Sequence, residues 1–254
     1  EFARYQQARF GIAVMNGTVA LRLALLAAGV AAGDEVIVPP YTFFSTASAV
    51  VEANCLPVFA DIDADTYCLS PAALKAALTD RTRAIIPVHF GGHAAAMGPI
   101  LDFAQQNDLV VIEDAAQAHG AEYLGQRVGA LGQMGCFSFQ SSKNLSSGEG
   151  GMILTNEAQY ERVCRSLHTC GRYPESEWYD HFLLGGNYRM TEFQGALLLS
   201  QMTRLEDQTK RREQNGVYLA QKLSEIPGIH PLSRAAEITR HAYHLYIYAW
   251  IFLK

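Results

Sequence analysis

Residues 134–151 read MGCFSFQSSKNLSSGEGG, and the way this stretch breaks decides the fold. Met134, Cys136, Phe137 and Phe139 form a short apolar and aromatic run, the composition of a buried strand. The run ends in Ser, Asn and Gly, with one lysine, Lys143, at the break. A strand ending in such a loop delivers a side chain to the edge of a sheet. A lysine partly desolvated there has a depressed pKa and can form a Schiff base with a carbonyl compound. The plain alternative is a solvated loop lysine, so the surrounding sequence has to decide.

Upstream, residues 109–112 (LVVI) are a continuous apolar run of the kind that forms a parallel strand buried on both faces. That strand delivers Glu113, Asp114 and the sequence AAQAHG at its C-terminal end, the edge where open α/β sheets bind ligands. Asp114 there is either a cap or a functional carboxylate, and Lys143 follows 29 residues later. Further strands are predicted at 10–15, 35–38, 57–60, 84–88 and 152–155. Helices are predicted at 19–28, 45–53, 70–78 (Ser70 as cap, Pro71 first), 96–106 and 158–167. Strands alternating with helices give an α/β fold, a three-layer α/β/α sandwich around a mostly parallel sheet.

Between the first strand and helix stand Asn16, Gly17 and Thr18. Free N–H groups at a helix N-terminus and a threonine hydroxyl make an anion site, and an ordinary helix cap reads the same way. No GxGxxG or GxxxxGK[ST] pattern occurs. Phe43 and Phe44, in a loop after a strand, are core residues or a cover for a planar ligand. Asp61 and Asp63 read as turn and cap residues. Residues 168–187 show little periodicity, and a loop of that length usually carries function or meets a partner. Thr191 caps a long amphipathic helix running to about residue 223, and Pro227-Gly228 marks a boundary. The predicted division is a large domain over 1–226 and the start of a smaller C-terminal domain over 227–254, with a strand-like run at 243–252. The absence of an initiator Met at Glu1, and the stop at Lys254 directly after that run, lead us to expect a piece of a longer protein.

Composition narrows the function. With 254 residues, 49% of them hydrophobic, the chain can bury a full core. A net charge of −5 without a basic run argues against nucleic acid, and no apolar stretch approaches the ~20 residues of a membrane span. The five cysteines, odd in number and without a CxxC pair, suit a reducing cytoplasm better than a disulfide framework or a metal site.

Four blocks in order, NGTVAL, IEDAAQAHG, SFQSSKNLSSGEGG and GGNYRMTEFQGA, resemble the DegT/DnrJ/EryC/StrS family of pyridoxal 5'-phosphate (PLP) aminotransferases, which make amino sugars and aminocyclitols. The likeness runs from residue 16 to the HLYIYAW at 244–250. It implies the large domain of a type I PLP-dependent transferase. Lys143 would hold PLP and carry protons, and Asp114 would pair with the pyridine nitrogen. Gln117, one helical turn beyond Asp114, would bond the ring's phenolic oxygen, and Phe43 would lie over the ring. Gly17, Thr18 and Ser138 would hold the phosphate, with Asn187 reaching it from a second subunit of a homodimer. His119 (packed or near Asp114), His89, Tyr41 and the loop residues Arg172 and Tyr173 are further candidates for the pocket.

Relatives with histidine in place of Lys143 dehydrate their substrates, so lysine favours amino transfer. Gln140 after the aromatic and the sequence TCGR at 169–172 resemble the branch acting on keto-cyclitols, which includes aminohydroxybenzoate synthases and uses glutamine as donor; other branches use glutamate and keto-sugars. The resemblance thus implies amino transfer to a keto-cyclitol or keto-sugar. A dehydrating aromatisation on the same scaffold, or a non-catalytic PLP-binding homologue, are the alternatives.

Overall fold

The computed structural model describes residues 1–251. A short helix, α1 (Phe2–Tyr5), precedes strand β1 (Phe10–Val14) and helix α2 (Gly17–Ala27). Then come β2 (Glu35–Val38), α3 (Ser45–Glu52), β3 (Leu56–Phe59), α4 (Leu74–Ala77), β4 (Thr82–Ile85), α5 (Met97–Gln106) and β5 (Val110–Asp114). A small hairpin, β6 (Glu122–Tyr123) and β7 (Gln126–Arg127), leads to β8 (Met134–Ser138), β9 (Gly151–Thr155), α6 (Ala158–His168), the long α7 (Glu192–Leu223), β10 (Ile229–Pro231) and β11 (Tyr248–Trp250).

Seven strands form one sheet in the order β1-β9-β8-β5-β4-β2-β3. All pairs are parallel except those of β9, which runs against both β1 and β8. The predicted α/β class with a mostly parallel sheet is therefore what the chain adopts. Side chains alternate between faces, as the two-residue period of a strand requires. Val36, Val38, Ala84, Ile112, Cys136 and Ile153 pack with α2, α3 and α6, while Ile37, Ile85, Val111, Phe137 and Leu154 pack with α1, α4, α5 and α7. Strands buried on both faces explain the unbroken apolar runs. Leu21, Leu23 and Leu25 of α2 are each at most 2% exposed, and burying one such side chain contributes about 1.5–3 kcal/mol.

Several local expectations change. The predicted helix at 70–78 is a 3-10 turn (Pro71–Ala73) followed by one turn of α-helix, and the Ser70 side chain makes no cap bond. No helix joins β5 to β8; the segment after Asp114 is a series of turns leading into the small hairpin, so Gln117 does not sit on a helix. The strand predicted over 243–252 is confined to Tyr248–Trp250 and pairs backwards, antiparallel, with Ile229–Pro231; residues 252–254 lie outside the described residues. Thr191 caps α7 as expected, with the Gln194 amide N–H donating to its hydroxyl and the Gln194 side chain accepting from its N–H, a reciprocal cap. Among the described residues no helix is long and apolar enough to cross a membrane, and no cluster of His, Cys, Asp or Glu could hold a metal ion.

Candidate active site

The parallel strands β5 and β8 end at one edge of the sheet, where β1 also turns into α2 and β2 leads on to α3. The loops there enclose a cavity of about 550 Å³. Asp114 from β5, Ser138 from β8, Lys143 from the loop after β8, Gly17 and Thr18 from the start of α2, and Phe43 and Thr46 from before and within α3 all border it.

Asp114 is 6% exposed and lies between Cys136 of β8 and a bridge to Val88. Its Oδ2 accepts from the Thr46 hydroxyl at 2.7 Å and its Oδ1 from the Ala116 N–H at 3.2 Å. Burial pushes its pKa up, while Thr46, Ala116, Lys143 and His89 oppose that rise and favour the anion. Lys143 is half-buried, and among the described residues no hydrogen-bond or ion-pair partner meets its Nζ. Burial lowers its pKa, and the Asp114 charge partly offsets that. A half-desolvated amine thus borders the same cavity as a buried carboxylate.

Asn16 closes the start of α2, its Oδ1 accepting from Val19 N at 2.9 Å, and the amides of Gly17 and Thr18 are left open at the helix N-terminus. Thr18 Oγ1 donates to Ser45 Oγ at 2.8 Å. A β-carbon on residue 17 would lie 2.9 Å from Ser138 Cβ, so only glycine lets α2 approach the end of β8 this closely. The helix-cap reading of this turn holds, with Asn16 as the cap, and Gly17, Thr18 and Ser45 beyond it border the cavity.

The DegT/DnrJ/EryC1/StrS aminotransferase family model matches residues 1–251. The chain belongs to that family. It is 44% identical over 245 residues to the putative L-glutamine:3-amino-2,3-dideoxy-scyllo-inosose aminotransferase of Streptoalloteichus tenebrarius, covering 95% of this chain and 58% of that protein. The chain thus spans little more than half the length of that relative. The structure of 3-amino-5-hydroxybenzoic acid synthase matches with a TM-score of 0.94 at 36% identity, over 97% of this chain and 65% of the other. NtdA from Bacillus subtilis, solved with bound cofactor PMP, matches with a TM-score of 0.86 at 29% identity, over 96% and 55%. The fold is that of the type I PLP aminotransferases.

The remaining candidates stand unevenly around the cavity. Gln117 lines the cavity, and its Oε1 accepts from Gly91 N at 2.7 Å, which leaves Nε2 as its donor. Phe43 borders the cavity with 68% of its surface exposed. Asn187 is not among the residues that line the cavity; it bridges Thr169, and its Oδ1 accepts from Arg189 Nε. His89 is wholly buried: its Nδ1 accepts from Ala95 N and its Nε2 donates to Glu113, so it does not line the cavity. His119 is wholly buried among Phe2, Phe137 and Phe139, with its pKa lowered to about 3 by burial and then by Lys143. Arg172 lies over the Trp178 ring, and Tyr173 and Tyr41 make tilted ring contacts with Phe182 and Phe90, all outside the cavity lining.

His244 borders the cavity, and no sequence signal marked it. Its segment is laid across the loop after β4, with Ala242 N donating to Gly92 O and Leu245 N to Gly91 O, and Asn144 Nδ2 in the lysine loop donating to Ala242 O. Burial and the nearby Lys143 and Arg212 charges lower its pKa to about 4, so it is neutral near pH 7. Its HAYHLY context is a possible signal, but nothing in one sequence ties that stretch to Gly91 and Gly92.

Proposed function

We propose that this chain is the larger part of a PLP-dependent aminotransferase that moves an amino group from glutamine or glutamate to a keto-cyclitol or keto-sugar. The observation that carries the reading is the half-buried Lys143 amine, without a partner among the described residues, sharing one cavity with the buried Asp114 carboxylate. The residues fit the cofactor. Gly17, Thr18 and Ser138 would hold its phosphate, Asp114 its pyridine nitrogen, Gln117 the phenolic oxygen through Nε2, and Phe43 would cover the ring. When bound, PLP supplies an electrophilic carbon and an electron-withdrawing ring.

The chain's own groups supply the rest. Asp114, whose donors Thr46 and Ala116 favour its anion against burial, would keep a proton on the ring nitrogen. Lys143, with its amine pKa lowered by burial, would be the group that takes up a proton at the donor's α-carbon in one half-reaction and delivers one at the acceptor carbon in the other. Neutral His244, facing the cavity beside Lys143, is available to hydrogen-bond a substrate hydroxyl. The glutamine-dependent relative and the Gln140 context favour a cyclitol ketone and glutamine; the likeness to the hydroxybenzoate synthase supports, as second reading, a dehydrating aromatisation.

A homodimer with a shared site completes the reading. Trp178, Tyr179, Phe182, Leu184, Phe193 and Leu197 are exposed on either side of Asn187, an apolar extent that a second copy would cover. Residues 227 onward open a smaller second domain, and the location is the cytoplasm.

The deciding experiment is an absorbance spectrum with PLP, beside Lys143→Ala, before and after glutamine. A yellow band that requires Lys143 and bleaches with glutamine supports the cofactor, its attachment residue and the donor together. A spectrum unchanged by the substitution overturns the assignment. Release of an ultraviolet-absorbing ring from a cyclic substrate would move the second reading ahead.

A further inference from the structure

Asp114 Oδ2 and Thr46 Oγ1 lie 2.7 Å apart, with Thr46 wholly buried in the first turn of α3. Thr46 Oγ1 lies 2.8 Å from Thr42 Oγ1 in turn. Proton directions follow from the chemistry of the groups. A hydroxyl has one proton to give, and Thr46 gives its own to the carboxylate. Thr42 must then donate to Thr46, so the two hydroxyls point one way, toward Asp114. On the other oxygen the Ala116 N–H is the donor. The carboxylate is thus held at both oxygens by groups from two different elements, which fixes its plane.

We infer that Thr46 is a positioning residue: its hydroxyl, backed by Thr42, holds Asp114 ionised and oriented at the floor of the cavity. A buried carboxylate with few donors takes up a proton rather than stay charged. Burial already works in that direction here, and Thr46 is the foremost influence against it, ahead of Ala116 and the Lys143 charge. The other titratable group packed against Asp114 is the Cys136 thiol of β8, which burial and the Asp114 charge keep protonated. From α3 and the loop before it, the partner of Asp114 among the described residues is the Thr46 hydroxyl, backed by Thr42. The inference rests on the proposed PLP reading for its functional meaning, and on the hydrogen bonds alone for its physical content.

Thr46→Val keeps the shape and removes the donor; Thr46→Ser keeps the donor. Both are compared with wild type by PLP titration and by urea unfolding of the full chain without cofactor. The valine variant is expected to bind PLP about tenfold more weakly or worse, with serine within about threefold of wild type. The sign of the pH effect is set by linkage. A carboxyl whose folded pKa lies above its unfolded value is a cost that appears as pH rises through that interval, because the unfolded chain has already released its proton. Loss of the hydroxyl widens the interval, so the stability deficit of Thr46→Val is expected to be larger at about pH 8 than at about pH 4.5. That pH dependence should vanish when Asp114→Asn is present in both backgrounds.

Wild-type PLP affinity in the valine variant, with a deficit independent of pH, overturns the inference. If wild type shows no Lys143-dependent band, the cofactor reading falls by itself. The unfolding measurements then decide the Thr46 role: a pH-independent deficit rejects it, and a deficit that disappears with Asp114→Asn upholds it.

Discussion

Gly17 and Ser138 lie in contact across the cavity floor, so that a β-carbon on residue 17 would sit 2.9 Å from Ser138 Cβ and 3.4 Å from its Cα. The neighbours are the end of a fully buried strand rather than a flexible tip, and the strand cannot move away cheaply. Gly17→Ala is therefore expected to destabilise the protein by about 1–3 kcal/mol, the usual range for inserting a methyl into a packed site. Under the proposed reading it also pushes the open amides of α2 off the phosphate. Affinity for PLP should fall by more than affinity for pyridoxal, which lacks the phosphate. Equal losses for both ligands would show that the turn does not hold that group.

His119 offers a test with a defined pH sign. It is wholly buried among three phenylalanines, and neither ring nitrogen has a hydrogen-bond partner; the Ser138 carbonyl approaches without bonding geometry. Its folded pKa is lowered to about 3 from an ordinary 6.5, so the folded state refuses a proton that the unfolded state accepts. Its contribution is intact above about pH 6.5 and is lost progressively as pH falls toward 3. His244, lowered to about 4, adds in the same direction. His119→Phe removes the titration without removing a hydrogen bond. Stability near pH 7 should change by less than about 1.5 kcal/mol, the scale of a volume-conserving swap, and the acid limb of a stability-against-pH curve should become shallower. An unchanged acid limb would contradict the assignment.

Adjacent residues on β5 should respond very differently to loss of charge. Glu113 is wholly buried and accepts four bonds: Gly129 N and His89 Nε2 at one oxygen, Leu131 N and Gly132 N at the other. In Glu113→Gln, whichever oxygen becomes NH2 faces two donors. A loss of about 3–5 kcal/mol is expected, comparable to breaking a buried charged pair. Asp114→Asn faces the open cavity and can keep its oxygen toward Thr46, so about 1–2 kcal/mol is expected, with cofactor binding affected more than folding. Urea unfolding of the two variants gives the comparison; similar losses would show that Asp114 is chiefly structural.

How far the sequence alone reaches can be read from these same residues. The strand at 35–38 and the runs ending at Asp114 and Ser138 were legible because strands buried on both faces must be continuously apolar. The sequence placed Asp114 at the ligand-binding edge of a parallel strand and Lys143 at the end of another, and the two border one cavity. The turns after Asp114 were harder: Ala115, Ala116, Gln117 and Ala118 have good helix propensity, yet Ala115 N is taken by Cys136 O and Gly91 N holds the Gln117 side chain. Tertiary partners override local preference there. Glu113 gave no signal because three of its four donors are backbone N–H groups, which every residue carries. His244 was invisible for a similar reason, since it reaches the cavity through main-chain bonds to glycines some 150 positions earlier.

Those glycines carry the last prediction. Gly92 has φ +91, and a β-carbon there would lie 3.0 Å from both Tyr243 N and His244 N. The conformation and the contact both exclude a side chain, because the left-handed region strains any other residue and the nearest atoms are backbone. Gly92→Ala should therefore lift residues 241–245 away from the loop after β4 and carry His244 out of the cavity. Asn144→Ala breaks only the bond to Ala242 O from the other side, a loss of about 1 kcal/mol. Hydrogen exchange at the amides of Ala242 and Leu245, which donate to Gly92 and Gly91, reports the detachment directly. The expected order is strong deprotection in Gly92→Ala, slight in Asn144→Ala, and little change at the core amides of β5. Uniform deprotection, β5 included, would mean that Gly92 supports the whole sheet rather than the seating of His244.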